Sequence, residues 1–365
     1  MIYKNLILNH KIWLQLNLMI ENKTLPHALI FHGPEGNGKE AHAIEFAALL
    51  NSNNEKNYTD KIINFQHPNI NLIIPLPREK SINKKSNSLN AISDKSLDLL
   101  IEMKKEKIKN PYYKIRFDKA STILINSIRD IKKHTYTTML NNNEYIVHII
   151  FEAEKLCAPK SESGNALLKI LEEPPKKTIF ILITSEKNKL LETIKSRCCD
   201  FYFSKLAKPE IIKYLDYNNE YNKNSIDLIA KLSDNNMTDI LHMLKLGEQI
   251  NSLKEDAINF IKNIINDKNW VENVKKIEKL FKTKKETFKI FIKLVIFILY
   301  DLEKIKNKKN DCVILTKINK VKNLNYSGAI NVIEKNYLDL HKNLNPGIGL
   351  FAMAIEMKKV MSKIY

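Results

Sequence analysis

An α/β module built on a parallel sheet, followed by an all-helical remainder, is the fold class this 365-residue sequence predicts. Three observations predict it. The apolar run Leu25–Phe31 feeds a glycine-rich turn, Gly33-Pro34-Glu35-Gly36-Asn37-Gly38-Lys39, and then an Ala/Leu-rich stretch. Strand, glycine loop and helix in that order begin a phosphate-binding α/β unit. Two later runs, Tyr145–Phe151 and Thr178–Thr184, are almost continuously apolar, as parallel strands covered on both faces are. After Pro209 helical spacing takes over.

Each element follows in chain order. Met1–Ile20 is interrupted by Lys4, Asn9, His10, Lys11 and Gln15 and does not read as a signal peptide. No apolar run approaches the roughly 20 residues of a membrane span, so a soluble, cytoplasmic protein with no membrane partner is expected. Ala41–Leu50 reads as a helix and Asn51–Asp60 as a polar loop. Ile70–Ile74 reads as a strand stopped by Pro75 and Pro77, and Lys80–Asn90, rich in Lys, Ser and Asn, as a mobile loop. Ser93–Lys107 has helical spacing that puts Leu97, Leu100, Ile101 and Ile108 on one side. Ile123–Ile125 reads as a short strand, Ser127–Leu140 as a helix, Asn165–Glu172 as a helix stopped by Pro174-Pro175, and Lys187–Ile194 as a short helix. Strand–helix alternation carries one α/β domain over residues 1–205. Helices over Glu210–Asp216, Ser225–Leu232 and Thr238–Leu246 suggest a small second domain, 206–248. The chain from Asn251 onward is helical throughout, giving a third domain, 249–365. Phe288–Leu302, its most apolar stretch, is a core helix too short to span a membrane.

Composition narrows the function classes. With 59 Lys+Arg against 41 Asp+Glu the formal charge is +18, and 44% of residues are hydrophobic, which excludes wholesale disorder. Arginine occurs only at Arg78, Arg116, Arg129 and Arg197. Abundant Lys, Asn and Ile with only 8 Gly indicate an AT-rich coding bias, which accounts for part of the charge; attraction to an anion such as DNA is the other reading. Cys157, Cys198, Cys199 and Cys312 form no CxxC pair, so neither a zinc ribbon nor a disulfide framework is expected.

The glycine loop carries the chemistry. Gly33, Gly36 and Gly38 let backbone N–H groups point at phosphate oxygens, the following helix adds its positive end, and Lys39 would reach the β- and γ-phosphates. The next residue should be Ser or Thr, whose hydroxyl holds Mg²⁺; here it is Glu40, which adds a negative charge beside the phosphates. The second metal-holding position, an acid closing a later strand, falls on Phe151. Glu152 follows where a water-activating base would lie, although a solvated loop acid is the favoured reading. Two defects in one magnesium site predict a nucleotide fold that no longer hydrolyses ATP. Ser196-Arg197-Cys198 comes after the sheet. Arginine's planar fork suits bidentate phosphate contact, and an arginine supplied in trans stabilises a transferring phosphoryl group. The ordinary alternative is a surface arginine.

Pro26-His27-Ala28-Leu29-Ile30-Phe31, the glycine loop, Asn165-Ala166-Leu167-Leu168-Lys169-Ile170-Leu171-Glu172-Glu173-Pro174-Pro175 and Ser196-Arg197-Cys198 together resemble bacterial sliding-clamp loaders of the AAA+ superfamily. The resemblance covers about Leu25–Phe203. It implies an AAA+ module, a helical lid and a helical collar, matching the three domains above. Within the family the chain resembles the delta-prime type rather than the catalytic gamma/tau type. That resemblance implies a broken ATP site and an Arg197 that projects toward ATP bound in a neighbouring subunit. It also reads the chain as ending soon after the collar, without the long extension of tau. The implied partners are gamma/tau and delta subunits, the sliding clamp, and primed DNA through the assembled complex. No cofactor is required on this reading, ATP binding is weak or absent, and the family's four-cysteine zinc module has no cysteines in Leu50–Pro68.

Other positions are read against the same family. Thr238 stands where a sensor arginine is expected, in Ser233–Asp239. Thr184-Ser185 stands where a γ-phosphate sensor would be, with a strand-end cap at least as good a reading. Arg129 opens a helix resembling the segment that faces the central chamber, although a salt bridge on a helix surface is favoured. The segment Cys157–Gly164 is longer than in familiar members. Lys275–Lys289 and Lys304–Lys322 read as solvated helix faces, and Trp13 and Trp270 as packing residues. The resulting expectation is a non-hydrolysing loader subunit that donates Arg197. The alternatives are an active gamma/tau-like ATPase and a non-enzymatic DNA-binding scaffold.

Overall fold

The structure is a computed structural model that describes residues 1–51, 61–62, 65–138, 144–217, 229–247, 249–266, 269–283, 285–309, 311–315, 321–340 and 346–362. Residues 52–60 of the expected loop Asn51–Asp60, the last two residues of the expected helix Ser127–Leu140, the start of the expected helix Ser225–Leu232 and part of Lys304–Lys322 lie outside the described residues. The chain divides into two compact units, Met1–Asn219 with Asn235–Asp239, and Glu220–Asp234 with Ile240–Tyr365.

The first unit is organised by five parallel strands: β1 (Ala28–His32), β2 (Ile70–Ile73), β3 (Ile146–Ile150), β4 (Thr178–Thr184) and β5 (Cys199–Tyr202), in the order β2-β3-β4-β1-β5. β4 is buried along its whole length, as its continuous apolar run predicts. Alternation within β1 explains why both faces need cover. Leu29 and Phe31 pack with α1 (His10–Glu21), α2 (Lys39–Leu50) and α3 (Asp94–Lys109), while Ala28 and Ile30 pack with α4 (Ile125–Thr138), α5 (Glu162–Glu172) and α6 (Glu192–Lys195). Each fully buried side chain of Phe31 size contributes roughly 1.5–3 kcal/mol against exposure. Trp13 packs on the first of these cores, as expected. The unit also includes α7 (Lys208–Tyr217).

Several expectations need correction. Ile123–Ile125 is no strand: the Ile123 N–H bonds the Lys155 carbonyl at 3.1 Å and α4 begins at Ile125. α3 buries Leu100, Met103 and Lys107, and leaves Leu97 (38%) and Ile101 (46%) exposed, so the packed face is rotated from the expected one. Lys187–Ile194 is not one helix but a 3₁₀ turn, Lys187–Lys189, followed by the one-turn α6. The expected mobile loop 80–90 is pinned: Asn126 donates to the carbonyls of Asn83 (3.0 Å) and Ser86 (2.7 Å), and Asp130 accepts from the Ser88 N–H (2.7 Å). Two elements, α1 and β5, were not anticipated at all.

The second unit is helical. α8 (Met237–Leu246) passes into it, and α9 (Gln249–Asn266), α10 (Trp270–Thr283), α11 (Lys285–Lys306), α12 (Tyr326–Leu340) and α13 (Pro346–Met361) follow. α11 supplies its centre, with Phe288, Phe291, Leu294, Val295, Ile298 and Leu299 buried, so the Phe288–Leu302 core helix is found. Phe260 and Phe291 meet edge-on at 5.9 Å, and Trp270 packs against Phe351 at 6.3 Å, the packing role expected for it. Buried Asp301 is satisfied by the N–H groups of Val313 (2.8 Å), Ile314 (2.5 Å) and Leu315 (2.9 Å). No described helix is long and apolar enough to cross a membrane.

Candidate functional site

The glycine loop joins β1 to α2 and opens on a cleft at the C-terminal ends of the strands, where ligands of open α/β sheets bind. Two glycines are sterically required. A Cβ on Gly33 would lie 2.0 Å from the Phe203 carbonyl oxygen. One on Gly36, where φ is +72°, would lie 1.9 Å from Asn236 Oδ1. Asn37 ties the loop to the end of β5 through the Phe203 carbonyl at 2.8 Å, and the Met237 N–H bonds the Gly36 carbonyl at 3.1 Å. Gly38 caps α2 in a left-handed conformation.

Lys39 is buried, with its three ammonium hydrogens directed at Gly33 O (2.8 Å), Pro34 O (2.7 Å) and Asn37 Oδ1 (3.2 Å). Burial lowers this ammonium to about 8, against the pull of the Glu40 carboxylate. Glu40 does not present a bare charge to the loop, contrary to expectation: its carboxylate is bonded by Lys107 of α3, which is 1% exposed. Lys107 also donates to the carbonyls of Pro111 (3.1 Å) and Tyr113 (2.6 Å). Phe151 is buried where the metal-holding acid was sought.

Glu152 departs most from its expected place. It is no solvated loop acid: its side chain is 11% exposed, ion-paired to Arg116, and 2.8 Å from Lys155 Nζ. Its backbone is left-handed, with φ at +50°, and its side chain lines the cleft. Arg116 also bonds Glu35 of the glycine loop at 3.1 Å, and Lys114 bonds Glu35 at 2.6 Å. Burial would raise Glu35, but these two cations outweigh it and hold the carboxyl at about 2. Four cations (Lys39, Lys107, Lys114, Arg116) and four carboxylates (Glu35, Glu40, Glu152, Glu154) therefore line the cleft, with no formal excess of either sign.

The sensor positions have internal roles. Thr184 donates to Glu154 Oε2 at 2.6 Å and accepts from the Glu186 N–H at 3.0 Å, which is the strand-end cap. Burial pushes Glu154 upward, and the Thr184 bond opposes it. Thr238 lines the cleft but donates to the Tyr112 carbonyl at 2.9 Å. Among the described residues no group of His, Cys, Asp and Glu has the arrangement of a metal site.

Arg197 lies apart from this cleft, just after α6. Its Nη2 contacts Glu172 Oε1 at 2.9 Å and its Nη1 donates to the Thr193 carbonyl at 3.0 Å, leaving the side chain 35% exposed. The motif stretch ending in Glu172-Glu173-Pro174-Pro175 and the Ser-Arg-Cys stretch are thus neighbours in space. Next to it, burial pushes the Cys198 thiol up to about 12. Among the described residues Arg129 makes no carboxylate pair; it reaches the Lys84 carbonyl at 3.4 Å, correcting the expected salt bridge. The segment Cys157–Gly164 contains a cis Ala158–Pro159 bond and leads into α5.

Sequence reasoning missed Lys107, Lys114 and Arg116. Lys107 carried a readable signal, because it continues the spacing of Leu100 and Met103 on the buried face of α3. Arg116 stood out only as one of four arginines.

With this geometry in place, the profile of the family described as "DNA polymerase III, delta subunit" matches residues 8–207, more than half of the chain. The chain belongs to the DNA polymerase III delta subunit family. The match spans α1, all five strands, the glycine loop and Ser196-Arg197-Cys198, so the kinship with clamp-loader subunits expected from the motifs holds at family level. Curated relatives include the DNA polymerase III subunit gamma of Buchnera aphidicola, 32% identical over 43% of this chain and 41% of its own. The subunit tau of Bacillus subtilis is 30% identical over 62% of this chain and 34% of its own. These alignments cover well under two thirds of either relative. A solved gamma subunit-related protein of DNA polymerase III from Thermotoga maritima aligns over 95% of this chain and 99% of its own, at 15% identity and a TM-score of 0.39.

Proposed function

We propose that this member of the family acts as a delta-prime-type subunit of the DNA polymerase III clamp loader: it does not hydrolyse ATP itself and supplies Arg197 to ATP held by a neighbouring subunit. The observation that carries the reading is the fate of both metal-holding positions. Glu40 is bound to Lys107 and Phe151 is a buried ring, so Mg²⁺ has no protein ligand at either place. Glu152 is held by Arg116 and Lys155, so both of its carboxylate oxygens are committed to cations. Arg197, by contrast, is partly exposed, with Nη2 on Glu172 and Nη1 on the Thr193 carbonyl, an exposed ion pair that a neighbour's phosphate could displace. Its partners would be gamma/tau and delta subunits, with the sliding clamp and primed DNA met through the assembled loader. No zinc and no cofactor of its own would be needed.

A second reading, an active gamma/tau-like ATPase, is favoured by one observation: the curated relatives above are gamma and tau subunits. The two readings part on a simple assay. The isolated chain, given ATP and Mg²⁺, should show no turnover above background. Turnover that disappears in Lys39→Ala would establish the second reading and remove the first.

A further inference from the structure

Positions 40 and 151 are where protein ligands for a nucleotide-bound divalent cation would be expected. A single buried cation faces both. Lys107 Nζ is bonded to the Glu40 carboxylate and lies 5.8 Å from the centroid of the Phe151 ring. The residues present therefore do not fit magnesium. One position holds a carboxylate already committed to an ammonium, and the other holds a hydrocarbon face. Lys39 is in the opposite situation. It is buried at the head of α2, bonded only to neutral oxygens, and no carboxylate pairs with it among the described residues. A buried ammonium that makes no direct ion pair, its charge balanced only at longer range by Glu40, Glu35 and Glu154, beside a glycine loop and a helix N-terminus, is a place for an anion.

We propose that this loop takes a polyphosphate anion, such as a nucleoside triphosphate, without a divalent cation, the buried ammonium of Lys107 neutralising Glu40 at the place where a metal would otherwise be held. The proposal rests on the non-hydrolysing reading above and deepens it. Without Lys107, Glu40 would set a full negative charge against the bound phosphates; the pair cancels that charge. With Lys107 in place, a cation carried in by the nucleotide would find Glu40 already committed to an ammonium and no acid at position 151. Mg²⁺ then gives no gain in affinity.

The test is calorimetric titration of the full chain with ATP and, separately, inorganic tripolyphosphate, each in Mg²⁺ and in EDTA. The expected result is binding in EDTA that Mg²⁺ does not tighten; comparison of the two ligands shows whether the nucleoside contributes. Tightening of tenfold or more by Mg²⁺, or no binding of either ligand in EDTA, overturns the proposal. Lys107→Met should weaken binding in EDTA by at least about tenfold, because it uncovers Glu40. Removing one member of a buried pair also threatens the fold. Glu40→Gln/Lys107→Met is therefore measured alongside, with folding checked by circular dichroism, and should bind within about threefold of wild type. Undiminished binding by Lys107→Met, or a folded double variant that binds as poorly as the single, contradicts the role of Lys107. ATP turnover by the chain would sink the parent reading, whereas Mg²⁺-tightened binding without turnover sinks only this one.

Discussion

Lys107 and Arg197 show how differently two cation–carboxylate pairs weigh. Lys107 is sealed from water, so removing it alone strands Glu40, and a loss of roughly 3–5 kcal/mol is expected for Lys107→Met. The Arg197–Glu172 pair is half-open to solvent on both sides, so Glu172→Gln should change stability by less than about 1 kcal/mol in urea titrations. Buried histidines set the acid limit. His42 accepts from the Asn9 N–H (2.9 Å) and sits 2.8 Å from the Gly38 carbonyl, and burial lowers it to about 4. His148, between Thr135 and the Phe180 ring, is lowered by burial to about 3. Both are below the value near 6.5 of an unfolded chain, so the unfolded state takes up protons first. Their contribution is fully present above about pH 6.5 and is lost as pH falls toward 4 and below. Urea unfolding between pH 7 and 4.5 should show stability falling throughout; a flat profile would contradict the burial of these rings. At this scale the sequence is legible where residue type alone decides, as for Phe151, a ring where an acid is expected. It was silent on Arg116–Glu152, because two residues 36 positions apart meet only after β3 and the preceding loop are in place.

Elements were legible where pattern and burial coincide. β3 and β4 announced themselves because both faces are covered, and α11 because its apolar residues run for four turns. β5 was missed because only Phe201 of its four residues is buried, so Cys-Asp-Phe-Tyr offers no apolar run. The face of α3 differs from the one its apolar spacing suggests because the buried stripe includes a lysine, while Leu97 and Ile101 stay exposed. Two predictions belong here. Gly36→Ala meets a left-handed backbone, Asn236 Oδ1 at 1.9 Å and Met237 N at 2.9 Å, and should cost about 1–3 kcal/mol in chemical denaturation. Asn236→Ala should recover only part of it, since the backbone terms remain. Phe291→Ala at the centre of the helical unit should cost about 3–5 kcal/mol, measured the same way.

For the whole molecule, a parallel α/β fold carries a glycine loop, a buried Glu40–Lys107 ion pair beside it, and a partly exposed arginine after the sheet. The fold class was readable from the order of strand, loop and helix. The self-neutralised cleft was not, since it is assembled from α2, α3, the segment 114–116 and the end of β3. The net charge of +18 favours contact with an anionic partner but assigns no residue to it. The central claim, that Arg197 acts on a neighbour's ATP, is tested most directly by ATP hydrolysis in a loader reconstituted from gamma/tau, delta and this chain, with clamp and primed DNA. Wild type and Arg197→Ala would be compared after equal assembly is verified by gel filtration. Wild type should stimulate hydrolysis, and the variant should lose that stimulation by tenfold or more at the dependent site. Equal rates from both proteins would contradict the claim and leave Arg197 as a structural partner of Glu172.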